Sequence, residues 1–430
     1  MDGESTSINI NDGPTVEELK KNIEAKLRTD SPSLPSCCIF KVPEVIRRQK
    51  KQAYKPNIVS IGPFHHGKKK FQLFENVKRW YLQCLLSSSK DVSLESLIKV
   101  IMELAKRARD CYVAYPEDGD LDQKYFVEMM ILDGCFLLEL FRKAHSDDLQ
   151  NENDPVFNMS CMQEHLYHDL LLLENQLPWS VLECLYNLTA NSPSKGDASL
   201  SSLVLNFFRQ NDADNLMLNP SFEVPVKILH VLDLIRTVIV SGFKETSSVE
   251  EQQKKKEPNA GVRFEKRQNK EEGKGECIMN IEFNNGVFTI PPLGIDETTE
   301  PLFRNLIAFE QCHHSRLHKI TSYAVLMDNL IDCREDIDFL CEKGILANWL
   351  NPDEAAQFFN KLYNDSTVID YYYSDLSDEV NNYYKSKWHK FMEILRSDYF
   401  STPWTIISFI AAFILLVLTL VQTLYTIRWP

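Results

Sequence analysis

Imidazoles and acids set within apolar stretches are the groups in this sequence that could do chemistry, and their spacing limits what chemistry that is. His65 and His66 follow a Gly62-Pro63 turn in NIVSIGPFHHG, and imidazole is the commonest ligand for a transition metal. No cysteine or carboxylate stands at ligand spacing in that block, and Lys68, Lys69 and Lys70 would repel a cation. A structural role beside the turn is therefore expected. His314 and His318 in CHHSRLH fall at i and i+4, the spacing that puts two imidazoles on one helical face in zinc metalloproteases. The glutamate such chemistry needs is missing, because Ser315 occupies its place and Arg316 adds positive charge. His165 and His168 offer less, and no catalytic, cofactor or metal residue is assigned.

Asp133, Asp169, Glu174 and Glu310 are acids amid apolar residues, and a buried carboxylate is either paired or functional. Two of them could serve a hydrolase, and this, with the CHHSRLH histidines, is the alternative functional reading. The preferred reading is a satisfied polar network of Asp133, Glu174, Asn175, Gln176, Arg304, Asn305 and Glu310 that fixes how helices pack. No phosphate loop, nucleophile elbow or dinucleotide fingerprint is present.

The chain has 430 residues, a formal charge of −14 and a pI near 5.3, a balance that disfavours nucleic-acid binding. Against it, Lys41 to Arg79 holds eleven Lys and Arg and only two acids, Glu44 and Glu75. Arg47, Arg48, Lys50, Lys51, Lys68, Lys69 and Lys70 could face an anionic lipid surface or an acidic protein partner. Equally, they could balance acids elsewhere in the same fold. The opening residues MDGESTSININD lack the basic start and apolar run of a secretory signal. Eleven scattered cysteines suggest thiols in a reducing compartment, with no structural disulfide. The sequons at Asn158, Asn187 and Asn364 matter only if they face a secretory lumen.

The elements that must position these groups are mostly helical. Leu94, Leu97, Ile98, Ile101, Leu104 and Ala108 recur at helical spacing, and residues 124–145 are apolar almost all round, which predicts a central helix. HDLLLLENQLPWSVL predicts a helix ending near Gln176 ahead of Pro178, then a second one. HVLDLIRTVIV, RNLIAFEQ and ITSYAVLMDNLID add further helices, with Gly344 at a helix end and Asn351-Pro352 at a helix start. CIMNIEFNNGVFTIPPL alternates around Asn285-Gly286, which predicts a two-residue hairpin. The expected fold is mainly α (α+β with one small β-hairpin). It comprises a polar tail 1–36, a helical lobe 37–243, a charged loop or disordered insertion 244–276, a hairpin with a second helical lobe 277–398, and a membrane anchor 399–430.

That anchor, YFSTPWTIISFIAAFILLVLTLVQTLYTI, carries no ionisable charge between Tyr399 and Ile427, and about 22 helical residues reach across the ~30 Å hydrocarbon layer. Thirteen Leu, Ile, Val and Phe lie between Thr405 and Thr426; at about −0.3 to −0.6 kcal/mol each they favour insertion by roughly 4 to 8 kcal/mol before the polar residues subtract. Trp404 at one end and Tyr425 with Trp429 at the other suit the headgroup layer. Lys385, Lys387, Lys390 and Arg396 precede the span and Arg428 follows it, so the amino-terminal side is expected in the cytosol, as in a tail-anchored protein. Whether the host is the plasma membrane or an endomembrane is not encoded here.

KVPEVIRRQKKQAYKPNIVSIGPFHHG, MMILDGCFLLEL, DLLLLENQLPWSVL, HVLDLIR, AGVRF, FTIPPLGID, FRNLIAFEQ and the apolar tail, in this order, resemble the plant family called domain of unknown function 247, proteins of the UPF0481 type. The resemblance runs from about Cys38 to the end, with Phe64 where a tyrosine is usual. What the resemblance implies is limited, since that family has no established enzymatic activity or cofactor. Its best-known members look like pollen-side recognition factors in grass self-incompatibility. The expected function is accordingly that of a non-enzymatic, membrane-anchored recognition or signalling protein that binds another protein through its cytosolic domain.

Overall fold

The computed structural model describes residues 15–25, 27, 37–88, 92–112, 122–189, 198–211, 227–243, 262–267, 277–385 and 403–428. Contacts divide the chain into two units, Met1–Cys37 and Cys38–Pro430. The first contains helix α1, Val16–Glu24, opened by a capping box in which Thr15 and Glu18 satisfy each other's backbone N–H groups. No described residue of α1 is buried.

The second unit is the helical body. After a short turn α2 (Glu44–Arg47) come α3 (Gln72–Ser88), α4 (Leu94–Arg109) and α5 (Gln123–His145). Helix α5 is the centre: seventeen of its residues are buried, and α3, α4, α7 (Trp179–Thr189) and α8 (Leu200–Asn211) all pack on it. Gly134 lets α7 approach, since a Cβ there would lie 2.4 Å from the Leu185 side chain. Helix α6 (Ser160–Leu170) stops six residues short of the end near Gln176 that the sequence predicts. The side-chain amides of Asn175 and Gln176 take the carbonyls of Asp169, Leu170 and Leu172, which replaces the helical partners and ends the helix early.

Helix α9 (Val231–Ser241) leads to the charged segment. Residues 263–266 of that segment form a strand, β1 (Arg263–Lys266), where the sequence suggests only loop. Strand β1 runs parallel to β3 (Val287–Ile290), which pairs antiparallel with β2 (Glu282–Asn284). Phe264 stacks on Phe288 across the parallel pair, ring centroids 5.2 Å apart, a contact no local pattern announces. The β2–β3 hairpin turns where the sequence predicts: Asn285 has φ 50° and Gly286 φ 81°, as a two-residue primed turn requires.

A second, two-stranded sheet joins β4 (Leu293–Ile295) and β5 (Leu346–Asn348) in parallel. Around it lie α10 (Thr299–Cys312), α11 (Lys319–Leu330), α12 (Arg334–Glu342), α13 (Pro352–Lys361) and α14 (Ser374–Lys385). Gly344 closes α12 at φ 67°, and Asn351 caps α13 by accepting the Asp353 N–H at 2.9 Å, with Pro352 first in the helix. Helix thus dominates, with a few short strands. Of the apolar stripe expected to lead into the anchor, Val380 and Tyr384 fall on α14, while Trp388, Phe391 and Leu395 lie outside the described residues.

The last helix, α15 (Pro403–Arg428), is long and apolar enough to cross a membrane: Ile407–Leu424 has a mean hydropathy of 2.5 and none of that stretch is buried. Trp404 is exposed, Tyr425 lies within the helix, and Trp429 is outside the described residues.

Candidate functional site

The strongest concentration of polar groups in the body surrounds residues 171–178, between α6 and α7. These residues form no helix, yet every one of them is buried. Buried irregular backbone must find partners for its N–H and C=O groups, and the side chains of this segment and its surroundings supply them. Asn175 accepts the Ile61 N–H at 2.7 Å and donates to Val59 O and Asp169 O. Gln176 donates to Leu170 O and Leu172 O and accepts the Leu232 N–H at 3.0 Å. Asp169 accepts three successive N–H groups, from Asn57, Ile58 and Val59, at 2.7 to 3.0 Å. Asn305 on α10 accepts the Leu173 N–H at 2.9 Å and donates to Ala53 O. One buried knot thereby fixes the loop 53–62, α9 and α10.

Gly62 belongs to the same knot. Its N–H donates to Asp133 at 2.8 Å and its φ is +70°. A Cβ there would stand 2.7 Å from Gln176 O, so both backbone angle and space demand glycine. The other Asp133 oxygen accepts from Lys78 Nζ at 2.7 Å, and Lys78, fully buried, also donates to Glu75 at 2.6 Å and to Ser60 O.

Glu174 points the other way, accepting the Val42 N–H at 2.7 Å and the Arg47 guanidinium. Burial pushes its carboxyl up, but His65, Arg47 and the Val42 N–H outweigh that and hold it below the usual carboxylate range. His65 Nδ1 lies 2.7 Å from Lys68 Nζ. An ammonium can only donate, so Nδ1 accepts and the imidazole proton sits on Nε2, which faces Glu174 at 3.5 Å, too long for a good hydrogen bond. Burial lowers the His65 pKa. With Nδ1 engaged by a cation and Nε2 protonated, His65 has no lone pair left for a metal.

Glu310 on α10 accepts five hydrogen bonds. It takes Nε and Nη2 of Arg236 at 2.9 and 2.7 Å, the Ile320 and Thr321 N–H groups at 3.1 and 2.9 Å, and the Thr321 hydroxyl at 2.8 Å. Glu310→Ala would strand a buried guanidinium and two backbone donors, and is expected to cost about 3–5 kcal/mol in denaturant unfolding. A loss under 1 kcal/mol would show that Arg236 finds water instead. Arg304 joins a separate group, donating to Glu300 at 2.7 Å and to Lys361 O.

The predicted network residues are thus all buried and bonded, but as several linked clusters rather than one. Their cationic partners Lys78 and Arg236 went unread, as did Lys143 with Asp154, 2.7 Å apart and both buried. A signal existed: Lys78 follows Phe74 and precedes Tyr81 and Leu85 on the buried face of α3, and Arg236, like Asp233, interrupts the apolar residues of HVLDLIRTVIV.

His314 and His318 do not share a helical face. Helix α10 ends at Cys312, so both lie in the turn before α11, where His314 stacks on His313 at 5.3 Å and His318 sits at the cap position of α11. His230, in contrast, is fully buried: Nε2 contacts Cys38 O at 3.1 Å and Nδ1 accepts the Asp233 N–H at 3.2 Å, which fixes the neutral tautomer. Burial drives its pKa down to about 3. The folded value lies below the unfolded one, near 6.5, so the unfolded chain binds the proton first on acidification. Its stabilisation is complete above pH 6.5 and is lost as pH falls towards 3, by up to about 1.4 kcal/mol per pH unit. The urea midpoint should drop between pH 6.5 and 5, and less steeply in His230→Gln; equal slopes would contradict this.

The basic stretch is largely engaged within the fold. Arg47 pairs with Glu174, Arg48 with Asp365 at 2.6 Å, Lys50 with Glu300, and Lys51 with Glu44 at 3.5 Å. Lys70 donates to Pro56 O at 2.6 Å and lies 4.5 Å from the Phe71 ring centre. Lys69 is exposed. These pairs fit the charge-balancing alternative for Arg47, Arg48 and Lys50.

On the outer side of α5, a groove of about 590 Å³ opens between α3, α4 and α5, walled by Leu82, Leu94, Ile98, Met102, Val127 and Ile131, with Lys124 and Glu128 beside them. Leu94, Ile98 and Met102 are substantially exposed.

No solved structure matches the chain. UPF0481 protein At3g47200 of Arabidopsis thaliana is 31% identical over 433 residues, covering 93% of this chain and 88% of the relative. Putative UPF0481 protein At3g02645 of the same plant is 22% identical over 504 residues, covering 95% and 93%. Residues 39–418, from the first core bridge at Ile39 into α15, match the model of a plant protein family of unknown function, DUF247, and the chain belongs to that family.

Proposed function

We propose that this chain is a membrane-attached, non-enzymatic recognition protein whose helical body lies on the cytosolic side and binds another protein. The observation that carries the reading is α15, whose apolar residues Ile407–Leu424 are exposed rather than packed into a core. Fourteen apolar side chains in that stretch left in water are costly, and a bilayer relieves that cost. The non-enzymatic part rests on the acids that hydrolysis would use: Asp133, Asp169 and Glu310 accept from fixed donors on both carboxylate oxygens, and Glu174 is buried and held by the Val42 N–H and Arg47.

The groove between α3, α4 and α5 suits an amphipathic helix of the partner. Leu94, Ile98 and Met102 form one ridge at i, i+4 and i+8, and Val127 and Ile131 form the other. A helix between them would cover the exposed Leu94, Ile98 and Met102 against a floor of buried Val127 and Ile131, with Lys124 and Glu128 at the rim to meet charges of either sign on its flanks. Proximity labelling in plant cells, with the full chain and an Ile98→Glu, Met102→Glu variant as baits, tests this. Loss of a discrete labelled protein from the variant supports the reading. Identical labelled sets from two folded, membrane-bound baits would overturn it.

A further inference from the structure

All eleven cysteines are thiols, but two of them are placed as a reactive pair. Residues 38–39 enter the body beside the end of α4, where Ile39 forms a parallel bridge with Tyr112. Cys38 and Cys111 each directly precede a partner in this isolated bridge. Both the Cys38 and the Ile39 N–H donate to Cys111 O at 2.9 Å, which holds the two backbones side by side, and the Cys38 side chain hydrogen-bonds the Cys111 thiol, so the two sulfurs are neighbours, as a disulfide requires.

From this juxtaposition we propose that Cys38 and Cys111 form a reversible disulfide when the protein meets a hydroperoxide.

The two thiols differ in the way such a reaction needs. Cys38 is buried, at 3% exposure, whereas Cys111 is partly open to solvent. The Cys111 sulfur contacts Arg107 O at 3.3 Å. A hydrogen bond from the Cys38 side chain holds the Cys111 thiol below its usual range; burial and Asp110 oppose this and Lys227 assists. The thiolate of Cys111 attacks one peroxide oxygen, the O–O bond breaks, and the departing hydroxide takes a proton to leave as water, with a sulfenic acid on Cys111. The Cys38 sulfur then attacks that sulfur, the S–O bond breaks, and a second water leaves with the Cys38 proton. In sum, two thiols are oxidised to one disulfide and one hydrogen peroxide is reduced to two waters. A small dithiol reverses the step.

The bridge would fasten the first core segment to α4. Cys38 O already accepts from His230, and Val42 N–H anchors on Glu174, so oxidation would lock the entry of the chain into the body. A closure spanning residues 38 to 111 is expected to raise the melting temperature by on the order of 5 °C.

The test uses the full chain in detergent micelles, treated with one equivalent of hydrogen peroxide, alkylated and mapped by mass spectrometry. The expected product is 2 Da lighter, as loss of two hydrogens requires, with Cys111 joined to the peptide holding Cys37 and Cys38. The bridge should form in Cys37→Ser and be absent in Cys38→Ser, where dimedone should label Cys111. Dithiothreitol should restore the original melting temperature. Preferential oxidation of the exposed Cys161 or Cys333, with Cys111 still open to alkylation, would overturn the proposal. So would a bridge that forms in Cys38→Ser or fails in folded Cys37→Ser. The map of the unaltered chain, with Cys37→Ser, decides the matter even if Cys38→Ser does not fold.

Discussion

Replacing Lys78 by alanine is expected to lower the stability of the body by about 3–5 kcal/mol, because it leaves a charged Asp133 in the interior without its cation. Lys78 and Asp133 are 0% and 1% exposed, so water does not reach the vacated site without rearrangement. Ser60 O would also lose its donor, adding the cost of an unpaired buried carbonyl. A double variant, Lys78→Met with Asp133→Asn, separates charge from shape. Methionine fills much of the lysine stem's volume, and asparagine keeps an oxygen for the Gly62 N–H while removing the charge. At least half of the lost stability should return. Denaturant unfolding of each variant measures this; a loss below 1 kcal/mol for Lys78→Ala would mean the pair is not the buried contact described.

A still larger change, in location rather than stability, is expected from two charges in α15. The apolar side chains of that helix favour insertion by roughly 4 to 8 kcal/mol, and each arginine at the bilayer centre opposes it by about 2.5–3.5 kcal/mol. Leu415→Arg with Leu416→Arg should therefore tip the balance against insertion, because the change also removes two leucines and Ser408, Thr419, Gln422 and Thr423 already subtract. Both residues lie near the middle of Ile407–Leu424 and are exposed, so the substitution leaves the packed body untouched. After carbonate extraction, the parent chain should remain in the membrane pellet and the variant should move mostly to the supernatant. A variant as firmly sedimented as the parent would indicate attachment through some other surface.

The sequence was most informative where one local rule decides the outcome. Asn285-Gly286 announces a primed turn, and both residues take positive φ there. Residues 124–145 are apolar almost all round, and α5 is correspondingly the centre of the packing. It was least informative where a partner lies far along the chain. Strand β1 sits in a charged segment and exists because β3, over twenty residues later, offers it an edge. The early end of α6 depends on two amides, Asn175 and Gln176, each folding back six residues onto its last carbonyls, Asp169 O and Leu170 O.

The candidate site divides along the same line. Acids and amides amid leucines stand out as requiring partners, so Asp133, Glu174, Asn175, Gln176, Asn305 and Glu310 could be named. Which cation meets which acid depends on tertiary contacts spanning 55 residues for Lys78–Asp133 and 74 for Arg236–Glu310. The CHHSRLH spacing failed for a local reason: two histidines four apart share a face only if a helix runs through them, and α10 stops at Cys312.

Protease protection in sealed plant microsomes tests the central claim most directly, using a full chain tagged after Pro430. Added protease should digest the helical body while the tag survives until detergent opens the vesicles. A protected body with a digestible tag would place the body in the lumen and contradict the assignment.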